Sequence, residues 1–205
     1  MRRARFGRTA GMPILVAPTE RVHASFLAAM AEFRAEGRGA PDDASMVGRE
    51  IREFGGGWEA PAEFAEYTRR LREQALEDAP RPPGFVPCTT LWWVDGAEYL
   101  GRLAIRRRLT PGLREAGGHI GYDVRRTARG RGHATRMLRA ALPVAYGLGI
   151  DSALVTCDHD NVASRKVIEK NGGVLEDRRG VVLRFWVPTR PAAGDRPREA
   201  SGRME

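Results

Sequence analysis

The stretch Arg129-Gly-Arg-Gly-His-Ala134 decides the fold, because it joins a strand-like run to a helix-like run through a loop suited to an anion. Gly130 and Gly132 carry no Cβ, so each tolerates a positive φ and lets a ligand approach the backbone closely. The first N–H groups of the following helix have no partners inside the helix, and the helix dipole favours negative charge there. Arg129 and Arg131 add fork-shaped charged donors. The stretch predicts a phosphate-binding loop between a strand and a helix.

Two common phosphate-binding motifs do not fit this stretch. A P-loop ends in Gly-Lys followed by Ser or Thr, and no lysine lies nearby. A dinucleotide-binding fingerprint needs a third glycine where Thr135 stands. The pattern that fits is Gln/Arg-x-x-Gly-x-Gly/Ala, met by Arg129, Gly132 and Ala134. For this hexapeptide taken alone, an ordinary glycine-rich turn with solvated arginines remains the alternative.

A second pattern lies downstream, where Asn161 precedes a helix-like run that ends in Ile168-Glu-Lys-Asn-Gly-Gly173. Asparagine is a favoured residue at a helix N-cap, and Asn-Gly-Gly is a strong helix stop. The interval between Arg129 and Asn161 has room for one helix and one strand. The two patterns therefore belong to consecutive units of one fold.

Taken together and in this order, the two patterns resemble those of the GCN5-related N-acetyltransferases, the GNAT superfamily, and in particular a bacterial subgroup of predicted acetyltransferases. The resemblance covers about residues 90 to 187. It implies an α/β GNAT fold, in which a mixed central β-sheet is flanked by helices and splays apart at the acetyl-CoA site, with a β-bulge opening the ladder. It also implies an acetyl-CoA-dependent N-acetyltransferase with an amine acceptor, which we expect to be a small molecule.

The resemblance also assigns cofactor-binding positions. The backbone of Val124 would hold the pantetheine arm, and Asn161 would face that arm or cap its helix. Ser164 and Lys166 would reach the adenosine end. The positions at and around the pyrophosphate would be Arg125, Arg129, Gly130, Arg131, Gly132, His133, Ala134 and Thr135. Acetyl-CoA is the implied acetyl donor, and no metal is implied.

The catalytic groups are less clearly marked, because the Tyr that many members carry seven residues after the Asn is Ile168 here. Asp123 is the first candidate for a carboxylate base, with a surface or capping role as its alternative. His119 is the second candidate, since an ordinary His pKa lies near neutrality, and a structural histidine is its alternative. Cys157 is either a covalent carrier of the acetyl group or a small buried residue, as free cysteines commonly are. Tyr122 is predicted to belong to the core.

Composition limits the partners of the chain. The net charge of +8 suggests nucleic acid, but Arg2, Arg3, Arg5 and Arg8 place much of it before the domain, and no recognition motif is present. We therefore expect no specific nucleic-acid partner. No apolar run reaches the length of a membrane span, so we expect no membrane association. The two cysteines show no pairing pattern, which favours a cytoplasmic setting. The resemblance leaves a homodimer as an option.

The sequence predicts a basic, disordered extension over residues 1–11, a single GNAT domain over 12–188 and a disordered tail over 189–205. Helical spacing is found over 20–36, 61–76 and 133–148, whereas 110–118 is predicted to be a loop. No helix is predicted between the glycine-containing breakers 37–43 and 55–57. Four arginines of the predicted strand 99–109 either line an acceptor cleft or stay solvated, namely Arg102, Arg106, Arg107 and Arg108.

A second class of function stays open alongside the enzyme. A CoA-binding sensor or regulatory protein of GNAT fold with little turnover would also carry both motifs. The observation that favours it is Ile168 in the place of the usual Tyr.

Overall fold

The computed structural model describes residues 11–191, and the extension before them and most of the predicted tail lie outside the described residues. Seven strands form one sheet in the order β1-β2-β3-β4-β5-β7-β6. The strands are β1 (Ile14–Val16), β2 (Cys88–Asp95), β3 (Glu98–Arg106), β4 (Ile120–Val124), β5 (Ser152–Asp158), β6 (Val174–Arg179) and β7 (Val182–Pro188). The helices are α1 (His23–Ala35), α2 (Met46–Phe54), α3 (Pro61–Glu73), α4 (Pro111–Glu115), α5 (His133–Gly147) and α6 (Val162–Glu169).

The sheet is mixed and splits between β4 and β5. These two strands run parallel, and the one pair registered between them in the described part of the chain is Ile120 with Val155. The other neighbouring strands pair antiparallel over longer stretches. Beyond the Ile120–Val155 pair, β4 and β5 diverge toward their carboxyl ends. The mixed, splayed sheet predicted from the sequence is confirmed.

The predicted β-bulge at the split is wrong. β4 pairs with β3 in regular register from Ile120, opposite Ile105, to Val124, opposite Gly101. Register shifts within the described strands fall elsewhere. Trp93 and Val94 of β2 pair with Gly101 and Tyr99, which leaves Leu100 as an extra residue of β3, and a second shift lies in β6 between Leu175 and Asp177. β4 and β5 thus separate although the β3–β4 ladder contains no extra residue.

Each face of the sheet has its own apolar core. On one face, α5 packs Met137, Leu138 and Ala141 against Leu103 of β3 and Val155 of β5. On the other face, α1, α2 and α3 cover an aromatic cluster that includes Phe26, Trp58, Phe64, Trp92 and Tyr99. Because successive side chains of a strand point to opposite faces, each core receives alternate residues of the same strands.

Two short helices lie in segments where the sequence predicted none. α2 begins after Ser45, whose Oγ accepts the Gly48 N–H at 3.1 Å, as expected of an N-cap. α4 begins after Thr110, whose hydroxyl accepts the Leu113 N–H at 3.2 Å. Both caps are readable in the sequence, and in α2 the apolar residues Val47, Ile51 and Phe54 also stand at helical spacing. The sequence prediction missed both helices because they are short and lie between glycine-containing segments.

Thr189, which the sequence assigned to the tail, packs against the domain. Thr189 is buried, its N–H donates to the Asp151 carbonyl at 3.2 Å, and its hydroxyl donates to the Ile150 carbonyl. The side chain of Thr189 thus ties the end of β7 to the start of β5.

Gly101 is the glycine on which the β3–β4 pairing depends. A Cβ placed there would lie 2.4 Å from the Asp123 carbonyl oxygen and 3.1 Å from the Val124 Cα. Both contacts are with backbone, so Gly101→Ala must push β4 away. We expect a loss of about 1–3 kcal/mol in the free energy of unfolding, the usual cost of overpacking, measured by urea denaturation. Gly147→Ala, with open space around its Cβ, is the control and should not destabilise the fold; equal stability of both variants would contradict the prediction.

Candidate active site

A cleft of about 760 Å³ opens where β4 and β5 diverge. Its walls come from β4, the loop after β4, the first turn of α5, the helix α6 and the end of α1. All predicted cofactor positions except Arg125 and Arg131 line it. The lining residues are Glu36, Arg38, Tyr122, Asp123, Val124, Ala128, Arg129, Gly130, Gly132, His133, Ala134, Thr135, Asn161, Ala163, Ser164, Lys166, Val167 and Lys170.

The glycine loop has the backbone geometry that an anion site requires. Gly130 and Gly132 have φ of 75° and 73°, in the left-handed region that favours glycine. Gly132 is the N-cap residue of α5, and no side chain caps the helix there. The first-turn N–H groups of α5 therefore point toward the cleft without a side-chain acceptor, and the helix dipole adds positive potential.

Arg129 holds the loop and is less available to a phosphate than the sequence suggested. Its guanidinium donates to both carboxylate oxygens of Glu36, at 2.6 and 2.7 Å. Its Nε donates to the Val124 carbonyl at 2.9 Å. A fork-to-fork pair of this kind fixes both partners, so Arg129 joins the end of α1 to β4 at the mouth of the cleft.

Arg125 lies outside the cleft, which corrects its predicted cofactor role. Its side chain is buried beneath α1, where Nε and Nη2 donate to Glu32 at 3.0 and 2.5 Å. Nη1 donates to the Tyr99 carbonyl at 3.2 Å. Arg131 is exposed and does not contribute to the cleft walls either.

Glu32 completes the attachment of α1 to the loop after β4. Burial alone would raise the pKa of Glu32, but hydrogen bonds from Arg125 and Thr127 outweigh it and lower that pKa to about 2. The Thr127 N–H donates to Glu32 at 3.0 Å. Glu32 and Glu36 lie one helical turn apart, so α1 holds this loop at two successive points.

The backbone of Val124 faces the split. The Arg125 N–H donates to the Leu100 carbonyl at 3.0 Å, which places that N–H on the β3 side. N–H groups alternate in direction along a strand, so the Val124 N–H points away from β3 and toward the cleft. The Val124 carbonyl also points there and accepts from Arg129.

Asp123 and Tyr122 reach the cleft from opposite faces of β4. Asp123 is directly opposite Arg102 on β3, on the face covered by α1–α3. Tyr122 shares the other face with Val124 and packs against the α5 core. Burial raises the pKa of the Asp123 carboxyl, and the positive charges of Arg102 and Arg38 oppose that rise. A half-buried carboxylate with a raised pKa is suited to accept a proton.

His119 is not brought to the cleft, and its predicted catalytic role is corrected. Its Nδ1 accepts the Leu154 N–H at 2.9 Å, and its own backbone N–H donates to the Leu154 carbonyl at 2.7 Å. Burial, with the nearby charges of Arg114 and Arg106, lowers the pKa of His119 to about 4. This neutral imidazole connects the start of β4 to β5 at the closed end of the split.

At the α6 wall, Asn161 acts as the helix cap that the sequence predicted. Its Oδ1 accepts the Ser164 N–H at 3.0 Å. Ser164 Oγ in turn lies 2.8 Å from the Tyr122 hydroxyl, in a hydrogen bond whose donor either atom can supply. Tyr122, which the sequence assigned to the core, therefore has its ring against the core and its hydroxyl at the cleft. The sequence signal that could have placed this hydroxyl at the cleft is the position of Tyr122 in the strand that leads into the glycine loop.

Comparison with known families identifies the fold. The acetyltransferase (GNAT) domain model matches residues 40–174. The chain belongs to this family. The match does not single out a bacterial subgroup, which stays a prediction, and no match was found among curated protein sequences.

Solved GNAT structures share the fold at low sequence identity. The ribosomal-protein-S5-alanine acetyltransferase from Vibrio fischeri aligns with a TM-score of 0.60 and 12% identity, covering 87% of this chain and 94% of that one. Mycobacterium smegmatis RimJ, in complex with CoA-disulfide, gives 0.58 and 17%, with 85% and 80% covered. The microcin C7 self-immunity acetyltransferase MccE, in complex with acetyl-CoA and AMP, gives 0.57 and 11%, with 86% and 92% covered.

Next to Asp123, this GNAT domain buries a charged network. Arg102 forms an ion pair with Glu50 of α2, and their side chains are only 4% and 16% exposed. The Tyr67 hydroxyl donates to Glu50 at 2.7 Å. Arg102 is thus neither a solvated arginine nor a free donor of the cleft. The network fixes α2 over the face of the sheet that carries Asp123.

The described residues contain no group of three or more His, Cys, Asp or Glu side chains placed to hold a metal ion. Within residues 11–191, no helix combines the length and apolar character needed to cross a membrane.

Proposed function

We propose that this chain is an acetyl-CoA-dependent N-acetyltransferase that acetylates the amine of a small-molecule acceptor. The observation that carries the proposal is the cleft in the split sheet, which begins at an uncapped helix N-terminus and runs past a half-buried carboxylate. The cleft offers an anion site at one end and a proton acceptor at the other, as transfer from a diphosphate-bearing thioester to an amine requires.

The cofactor-binding roles follow from this arrangement. The N–H groups from Gly130 to Thr135 would hold the diphosphate of acetyl-CoA, and Lys166 and Lys170, on the α6 wall, would add positive charge. The Val124 N–H, which faces the split, would bind the pantetheine arm. Arg129 would act by keeping the loop in place through Glu36.

Asp123 is the proposed base. An amine must lose a proton as it forms the amide, and a positioned carboxylate accepts it. Because Asp123 projects from the α1–α3 face, that face would receive the acceptor, whereas the pantetheine arm would lie beside Val124. The amine and the thioester then meet in the split between the two faces.

The expectation of a small acceptor is supported by the cover that α2 forms over this face. Gly121 leaves room for the Met46 side chain, whose Cε would lie 2.9 Å from a Cβ at position 121. With the Glu50–Arg102 pair, this contact closes the space over β3 and β4, so Asp123 is approached along the cleft, beside Arg38. Cys88 and Cys157 are both unpaired, which supports a cytoplasmic location for the reaction.

The regulatory alternative rests on Ile168, which is fully buried in the α5 core and carries no hydroxyl where many family members have the Tyr hydroxyl. A CoA-binding sensor would bind acetyl-CoA without turnover. Calorimetry with acetyl-CoA, using NADH and ATP as controls, followed by a thiol-release screen of amines, separates the two functions. Selective binding with turnover supports the enzyme, binding without turnover of any amine supports the sensor, and no binding overturns both.

Gly132 provides the most direct test of the cofactor loop. Gly132→Val forces a β-branched residue into φ of 73°, a conformation that costs an L-residue about 1–2 kcal/mol. Because the strain lies at the proposed diphosphate site, we expect acetyl-CoA affinity to fall at least about tenfold, for which 1.4 kcal/mol suffices. Calorimetry measures the effect.

Gly149→Val is the matched control for this experiment. Gly149 has a similar φ of 83° in open space, after α5 and away from the cleft. It should lose comparable stability and keep the affinity for acetyl-CoA. If the two folded variants bind acetyl-CoA equally well, the loop assignment is rejected.

A further inference from the structure

Two hydroxyl groups meet in the cleft without a role in the function proposed so far. The Tyr122 hydroxyl and Ser164 Oγ are 2.8 Å apart and bridge β4 to α6. Both residues line the cleft. Burial raises the pKa of the Tyr122 phenol well above its ordinary value, so it stays protonated and able to donate at any physiological pH.

The direction of the cleft places these hydroxyls near its reacting end. The diphosphate loop follows β4, so a pantetheine arm that enters the split runs back along β4 from Val124. Tyr122 lies two residues earlier, about 7 Å along the strand. The split closes at the Ile120–Val155 pair, only two residues beyond Tyr122. A sulfur at the end of the arm would therefore lie between Val124 and that closed end, at the level of Tyr122.

The proposed base, Asp123, lies on the opposite face of β4 from Tyr122. Asp123 projects from the opposite face of β4, toward Arg102, whereas Tyr122 projects toward α6. Asp123 thus places a proton acceptor on the face of β4 where the amine would bind, and Tyr122 places a hydrogen-bond donor on the face where the sulfur would lie. Ile168 cannot supply that donor, since it is an apolar side chain enclosed in the core.

We propose that the Tyr122 phenol, oriented by Ser164, donates a hydrogen bond to the sulfur of CoA and stabilises the thiolate that leaves during acetyl transfer. The inference rests on the proposed function. It assigns Tyr122 as a catalytic residue and Ser164 as the residue that positions it.

The amine nitrogen forms a bond to the thioester carbon, the carbon–sulfur bond breaks, and its electron pair stays on sulfur. The proton lost by nitrogen goes to Asp123 and then to solvent. The thiolate takes its proton from solvent as CoA leaves, so the phenol keeps its own proton throughout. Preorganised donors of this kind act where charge develops in the transition state.

The thiol of bound CoA reports on Tyr122 without any acceptor. The ultraviolet absorbance of the thiolate, taken as the difference between protein with and without CoA, gives the pKa of the bound thiol. Tyr122→Phe keeps the ring and removes the hydroxyl. We expect the pKa of the bound thiol to rise by about one unit in this variant, a tenfold change in its ionisation constant, with the affinity for acetyl-CoA retained.

Tyr146→Phe is the matched control, because Tyr146 is 37% exposed on α5 and does not line the cleft. Ser164→Ala should shift the thiol pKa in the same direction as Tyr122→Phe, by less. The cations Lys166 and Lys170 line the same cleft and Cys157 interacts with Tyr122, and all three residues are unchanged between wild type and Tyr122→Phe. If wild-type protein binds CoA and the thiol pKa is the same in Tyr122→Phe, this inference is overturned and the proposed function stands. If wild-type protein does not bind CoA, the proposed function itself fails.

With an acceptor identified by the thiol-release screen, Tyr122→Phe is expected to lower kcat by about 10²-fold, as the loss of one preorganised donor does. KM for acetyl-CoA should stay unchanged, because the thiolate forms only after binding. An equal loss in kcat and in acetyl-CoA affinity would indicate a structural role and contradict the proposal.

Discussion

Asp123→Asn is expected to lower kcat by about 10²–10⁴-fold, the range attributed to a positioned general base, and to leave acetyl-CoA affinity unchanged. Asparagine keeps the size of the side chain and cannot take up the amine proton. In the wild type, kcat/KM should fall as the pH drops through the raised pKa of Asp123, because the protonated carboxyl no longer accepts a proton. Steady-state thiol release over a range of pH measures both effects.

The same substitution should stabilise the protein at neutral pH. A carboxyl whose pKa is higher in the folded state than in the unfolded state holds its proton more tightly when folded, so stability is lost as pH rises through these two pKa values. Burial raises the pKa of Asp123 in this way, and asparagine avoids the cost of ionisation. Urea denaturation at neutral and acidic pH should show the gain at neutral pH only.

Lower turnover together with higher stability separates a base from a structural residue. A capping or ion-pairing aspartate would lose stability on the same change. Asp151→Asn is the control, since Asp151 is exposed at the start of β5, and neither kcat nor stability should move. If Asp123→Asn destabilises the fold and leaves the pH profile of kcat/KM intact, another group is the base.

The fold and the backbone conformation of the glycine loop could be predicted from sequence because they depend on local signals. Positive φ requires glycine at Gly130 and Gly132, and Asn161 caps the helix that follows it. Such requirements are met within a few residues of chain. The order of strands follows from the same motifs, since a parallel neighbour for β4 needs the crossover that α5 provides.

The use of the arginines could not be predicted, because their partners are distant in sequence. Arg125 pairs with Glu32, and Arg129 pairs with Glu36, each across more than ninety residues. A sequence pattern shows that an arginine follows a strand, but it does not show in which direction the arginine side chain points. The sequence therefore assigned to phosphate binding two arginines that the structure uses to attach α1 to the loop.

These two attachments connect the Asp123 face of the domain, where we propose that the acceptor binds, to the proposed cofactor loop. α1 contributes to the core on the Asp123 face, and its last turns hold the loop that begins the diphosphate site. Tyr122 shows the same limit of sequence reasoning at shorter range. Its ring belongs to the apolar face of β4, as the sequence pattern predicts. Its hydroxyl reaches the cleft wall because α6 places Ser164 Oγ 2.8 Å away, a contact that the sequence does not show.

Arg102→Met is expected to destabilise the protein by about 3–5 kcal/mol, the cost of leaving a buried charge without its partner. Methionine preserves much of the buried stem, so the effect reports on the charge. Glu50 would lose its counterion in a site where the pair is nearly enclosed. Urea denaturation measures the loss, and Arg139→Met, at an exposed position of α5, should change stability by no more than about 0.5 kcal/mol.

Two further measurements show what the ion pair does for the site. Adding Glu50→Gln to Arg102→Met should recover part of the lost stability, because the unpaired carboxylate is then removed. Arg102 also opposes the rise in the pKa of Asp123, so Arg102→Met should move the acidic limb of the kcat/KM profile to higher pH. If Arg102→Met is destabilised but the acidic limb of its kcat/KM profile does not shift, the role of Arg102 is only to hold α2 on the sheet. A shifted limb would show that the buried pair also sets the pH at which Asp123 begins to accept protons.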